Sequence, residues 1–111
     1  FYLQENGNML RLGPFQGSVA CYTIPYGKGV CGKAWEEGRT LIVPNIETFP
    51  GHIACSSRSR SEIVIPMYDS QRHFRGVLDI DSTRFDDFSA EDKDGLEHII
   101  QLLMAQIEDL F

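Results

Sequence analysis

The chain has 111 residues, enough for one domain that buries its own core without help from disulfides or metals. Hydrophobic residues make up 42% and charged residues 23%, the balance of an ordinary globular protein. A formal charge of -6 argues against a nucleic-acid partner, and no apolar run approaches the roughly 18 residues of a membrane span.

The chain opens on Phe1-Tyr2-Leu3 and is expected to be part of a longer protein, cut just inside a strand. It carries no signal-peptide pattern. Phe1 to Gln4 reads as a strand, and Asn6-Gly7 as a two-residue hairpin turn, because both residue types tolerate positive φ. Asn8 to Leu12 returns as the second strand, and 13–17 breaks it. Ala20 to Ile24, which includes Cys21, reads as a short extended segment. After turn residues at 25–29, Val30 to Glu37 reads as a short helix closed by Gly38, with Cys31 in its first turn. Thr40 to Val43 is a β-branched strand stopped by Pro44.

Asn45 to Ser61 is longer than a usual connection, and such loops in compact domains tend to carry function. Glu62 to Tyr68 and Phe74 to Asp81 read as paired strands joined by the turn at 69–72. Ser89 caps a last helix with Glu91 and Asp92 in its first turn, where carboxylates suit the helix dipole. Leu96, Ile99, Ile100, Leu103, Met104, Ile107, Leu110 and Phe111 form its apolar stripe. The expected architecture is α+β: five or six antiparallel strands with helices packed on them.

Chemistry concentrates in two places. Cys55 lies in a loop of small residues, just after Pro50-Gly51-His52, where its sulfur is reachable and reactive if its pKa is lowered. Strand alternation puts Asp79 and Asp81 on one face with Val77, and Leu78 and Ile80 on the other. If the two long strands pair through their turn, Glu62 comes close to Asp81. Three acids on one patch repel unless a cation answers them or one keeps a proton. The candidates are a hard metal ion, for which Asp-x-Asp plus Glu is an oxygen-rich set, or a ligand ammonium gripped by the acids.

Cysteines 21, 31 and 55 are an odd number with no CxxC pair, so they read neither as a disulfide framework nor as a zinc knuckle. Reduced thiols in a cytoplasmic protein are the expectation. A zinc site made of the three cysteines and His52 is a weaker reading. Trp35 reads as packing, His73 as solvated, His98 as marginal to the apolar stripe, and the arginines as surface charge, with Arg58 or Arg60 in reach of a substrate carboxylate.

Gly13-Pro14-Phe15-Gln16-Gly17, Ala20-Cys21, Gly27-Lys28-Gly29-Val30-Cys31-Gly32, Phe49-Pro50-Gly51-His52-Ile53-Ala54-Cys55, Ser61-Glu62-Ile63-Val64 and Gly76-Val77-Leu78-Asp79-Ile80-Asp81 together resemble the free methionine-(R)-sulfoxide reductases. The resemblance covers nearly the whole chain, and the spacing of the three cysteines makes it specific. It implies a GAF-like central antiparallel β-sheet flanked by helices, in a single domain over 1–111 whose N-terminal helical part lies outside this chain. It implies that Cys55 is the catalytic thiol, Cys21 the cysteine that resolves its sulfenic acid, and Cys31 a third thiol available for exchange. Glu62, Asp79 and Asp81 match the acids that line the pocket, and Tyr2 an aromatic of the substrate cage, whose tryptophan partner would precede this chain.

The implied chemistry is reduction of free methionine-(R)-sulfoxide by Cys55, with a proton from Glu62 and the substrate ammonium held by Asp79 and Asp81. Thioredoxin would recycle the disulfide, with no metal or organic cofactor, in a cytoplasmic homodimer. The alternative is a non-catalytic GAF-type module that binds a small ligand as a sensor.

Overall fold

A computed structural model describes residues 1–17, 21–53, 55 and 58–110. Its strands are β1 (Tyr2–Glu5), β2 (Met9–Leu12), β3 (Thr23–Pro25), β4 (Leu41–Val43), β5 (Ser61–Tyr68) and β6 (Phe74–Ser82). They form one antiparallel sheet in the order β3-β2-β1-β6-β5-β4. Helix α1 (Gly29–Glu37) covers one face and α2 (Ala90–Ile107) the other.

The period of two along β5 explains the two layers. Val64 joins Val30, Cys31 and Ala34 of α1 in one core, together with Tyr2, Leu10 and Val77. Ile63, Ile65 and Met67 point the other way, onto Ile100 and Met104 of α2. β4 pairs with β5 only over Glu62–Val64, so Pro66 lies beyond that pairing, where a missing N–H is tolerated.

Several expected boundaries shift. The first hairpin turns through three residues, since Glu5 pairs with Met9. Asn6 and Gly7 do take positive φ, 53° and 82°. Asn8 lies outside β2, and its carbonyl accepts the N–H of Tyr26, just beyond β3. β3 begins only at Thr23, which leaves Cys21 outside the strand, while Ala20 lies outside the described residues.

The expected end of α1 is present: Gly38 adopts φ 67° and its N–H reaches Ala34 and Trp35. The 45–61 loop opens with a 3-10 turn, Ile46–Thr48, whose base is closed by Ile46 N–H donating to the Arg60 carbonyl. Ser89 and Asp92 cap α2 reciprocally: the Asp92 N–H donates to Ser89 Oγ, and the Ser89 N–H donates to Asp92 Oδ2.

The α2 stripe is narrower than expected. Leu96, Ile100, Leu103, Met104 and Ile107 face the sheet, whereas Ile99 is exposed by its rotation away from Ile100. Leu110 is exposed in the 3-10 turn after α2, and Phe111 lies outside the described residues.

Candidate active site

The register of β5 on β6 builds the acidic floor. Glu62 pairs with Asp81 and Val64 with Asp79, as strand alternation requires. Glu62, Asp79 and Asp81 line one cavity of about 710 Å³, together with Tyr2, Cys31 and Cys55. Cys31 arrives from the first turn of α1. Its sulfur and one oxygen each of Glu62 and Asp79 lie within 4.8 Å of one another. This trio is the group that could hold a metal ion among the described residues.

The acids differ in environment. Glu62 is 7% exposed. Burial pushes its carboxyl well above the usual range, and a hydrogen bond with Asp79 and the charges of Asp79 and Asp81 add to the rise. Asp81 stands at the mouth as an exposed residue, but its carboxyl is desolvated against the pocket wall. That desolvation, with the Asp79 charge behind it, pushes it up to about 7 against a smaller opposing hydrogen bond from Ser59. Asp79 Oδ1 is buried with no hydrogen-bond partner. A buried carboxylate oxygen without a partner is costly, so a donor arriving in the cavity would be bound at that point.

Cysteine chemistry corrects one expectation and separates the thiols. Cys21 and Cys55, expected as reduced thiols, are joined in a disulfide with Cα atoms 5.1 Å apart. The bond joins the two cysteines that the resemblance pairs, 34 residues apart, one before β3 and the other within the 45–61 loop. A zinc site of three cysteines and His52 is therefore not assembled, because two of its thiols are bonded to each other. Cys31 remains free and buried. Burial pushes its thiol up, with Asp79 and Glu62 next, so it stays protonated.

Tyr2 is buried on β1, paired with Val77, and its hydroxyl donates to the Cys21 carbonyl at 3.0 Å. His52 and Arg58 line the cavity. Arg60 instead lies over the Phe85 ring, Arg75 pairs with Asp69, and Arg84 with Asp87. His73 is exposed beside Asp69, and His98 is exposed on α2. Trp35 packs as expected, stacked on Phe74. Two contributors were missed from sequence: Ser59, which hydrogen-bonds Asp81, and Phe15, exposed at the cavity mouth. A serine in a serine-rich loop gives no signal of its aim.

A curled antiparallel sheet with its pocket between α1 and the β5–β6 floor defines a GAF domain, and the GAF domain model matches residues 1–108. The chain belongs to the GAF domain family. It is 53% identical over 103 residues to GAF domain-containing protein A of Dictyostelium discoideum, covering 93% of this chain and 65% of that protein. It is 47% identical over 105 residues to the free methionine-R-sulfoxide reductase of Saccharomyces cerevisiae, covering 93% of this chain and 58% of that enzyme. Among solved structures it is similar to the free methionine-R-sulfoxide reductase of Neisseria meningitidis in complex with its substrate. That match has a TM-score of 0.92 at 44% identity, over 96% of this chain and 64% of that one. The chain thus spans about three fifths of the length of the relatives it matches. No helix among the described residues is long and apolar enough to cross a membrane.

Proposed function

We propose that this domain is the catalytic part of a free methionine-(R)-sulfoxide reductase. The observation that carries the reading is the Cys21–Cys55 disulfide, whose Cys55 lines the same pocket as Glu62, Asp79 and Asp81. A sensor pocket needs acids to hold a cation, but it has no use for a pair of cysteines closed over them. The similarity to named reductases supports the same reading.

In the proposed cycle the two cysteines begin reduced. Asp79 and Asp81 hold the substrate ammonium, and the unpartnered Asp79 Oδ1 gains a charged donor. A methionine within a polypeptide has no such ammonium, which accounts for a preference for the free amino acid. Tyr2 supplies an aromatic wall. Glu62, protonated by its burial, donates to the sulfoxide oxygen as the Cys55 thiolate attacks the sulfur. The oxygen passes to Cys55: the substrate sulfur gains two electrons and leaves as methionine, and Cys55 becomes a sulfenic acid. The Cys21 thiol then attacks the Cys55 sulfur, expelling water and closing the disulfide. A dithiol of the thioredoxin class reduces it by exchange. Cys31 is the third thiol of this reading, available for exchange only on ionising, which its burial beside Asp79 and Glu62 opposes. The whole protein works as a cytoplasmic homodimer in this reading.

The test is methionine production from the separate sulfoxide epimers with thioredoxin as reductant. The (R) epimer should be consumed and the (S) epimer left. Cys55→Ser should abolish the reaction, and Cys21→Ser should give one methionine per site without recycling. Binding of the sulfoxide with no turnover in the full protein would instead make this a ligand-sensing module.

A further inference from the structure

Tyr2 makes a contact that substrate binding does not require. Its ring belongs to the pocket face of β1, yet its hydroxyl donates to the main-chain carbonyl of Cys21 at 3.0 Å. Cys21 lies outside any strand, so the sheet ladder does not hold it. The next residue is held from the same strand pair: Leu12 N–H donates to the Tyr22 carbonyl, and Leu12 is the register partner of Tyr2. Two adjacent carbonyls, those of Cys21 and Tyr22, are therefore anchored to facing residues of β1 and β2. Of the two anchors, only the hydroxyl of Tyr2 is a side chain. Burial, reinforced by the acidic neighbours, keeps that hydroxyl protonated and hence a donor.

We infer that Tyr2 is a positioning residue for Cys21, holding its main chain where the sulfur can reach Cys55. The role deepens the proposed function and rests on it for its use in turnover. Closure of the disulfide joins two side chains that must meet in a narrow geometry, with Cα atoms 5.1 Å apart. An anchor on one partner raises the fraction of time that geometry is populated.

The experiment separates this role from substrate handling by leaving the amino acid out. Reduced full-length protein is treated with one equivalent of hydrogen peroxide. The oxidant converts the Cys55 thiolate to a sulfenic acid and releases water or hydroxide. Cys21 then displaces the hydroxyl as water and closes the disulfide. Dimedone traps the sulfenic acid that has not yet closed. Tyr2→Phe keeps the ring and removes the donor. It should slow closure by about tenfold, the scale of one lost buried hydrogen bond, and raise the dimedone-trapped share of Cys55 accordingly. Ile100→Val, under α2 on the other face, controls for general loosening and should close at the parent rate. Parent-like closure in Tyr2→Phe, or equal slowing in Ile100→Val, would overturn the role. A parent protein that closes its disulfide with peroxide but makes no methionine from the sulfoxide would overturn the proposed function alone.

Discussion

Glu62 and Asp81 face each other across β5 and β6, and both keep a proton to higher pH than a carboxyl in water. For Asp81 the ordinary value of 3.8 is raised to about 7 in the fold. Between those values the native state binds a proton that the unfolded chain has lost. The stabilisation is complete below about 3.8 and disappears as pH rises through about 7. Asp81→Asn should flatten this slope, so urea midpoints measured near pH 4 and near pH 8 should lie closer together than in the parent. Glu62 acts in the same direction, and in the proposed cycle its proton is the one delivered to the sulfoxide. Glu62→Gln should cut kcat by about 10²- to 10⁴-fold, the usual worth of a positioned acid, with a smaller change in KM. The parent rate should fall on the alkaline side as Glu62 ionises, a limb the Gln variant lacks. Alternation along 76–81 sufficed to put Asp79 and Asp81 on one face. The graded proton affinities were not legible, because they depend on depth below the surface and on Ser59, a residue of a remote loop.

At the level of elements, two contacts fix how closely the pieces approach. A Cβ at Gly76 would run into the Tyr2 carbonyl, where β1 lies against β6. A Cβ at Gly32 would meet the Pro25 carbonyl at 2.6 Å, where α1 rests on the end of β3. Backbone cannot step aside as a side-chain tip can, so Gly76→Ala and Gly32→Ala should each destabilise by about 1–3 kcal/mol or more, read as a fall in the denaturation midpoint. Ser61 is fully buried at the start of β5. Its Oγ donates to the Arg84 carbonyl at 2.6 Å and accepts the Asp87 N–H, tying the loop after β6 to the strand that carries Glu62. Ser61→Ala should cost about 1–3 kcal/mol by leaving those partners unsatisfied, again measured by denaturation. Helix ends and strand pairs were largely readable, because Gly38, Ser89 and the β5–β6 turn act locally. The roles of Gly76, Gly32 and Ser61 were not. Each depends on a segment distant in sequence, and a glycine in a strand looks the same whether or not another backbone presses on it.

Across the whole molecule, the Cys21–Cys55 bond closes a loop of 34 residues. Such a loop restricts the unfolded chain by roughly 3–4 kcal/mol in the chain-entropy account. Reduction with dithiothreitol should therefore lower the thermal midpoint, and Cys21→Ser should abolish the difference between oxidised and reduced samples. Cys31→Ser should keep it. Among the described residues, the sheet joins its two halves through two residue pairs, Tyr2 with Val77 and Leu3 with Gly76. Cys21 belongs to the half with β2 and β3, and Cys55 precedes β5 in the other. The covalent link thus bridges the narrow junction as a clasp, and breathing at that place becomes coupled to electron supply. Deuterium uptake by the amides of residues 2–3 and 76–77 should quicken each time the clasp is opened.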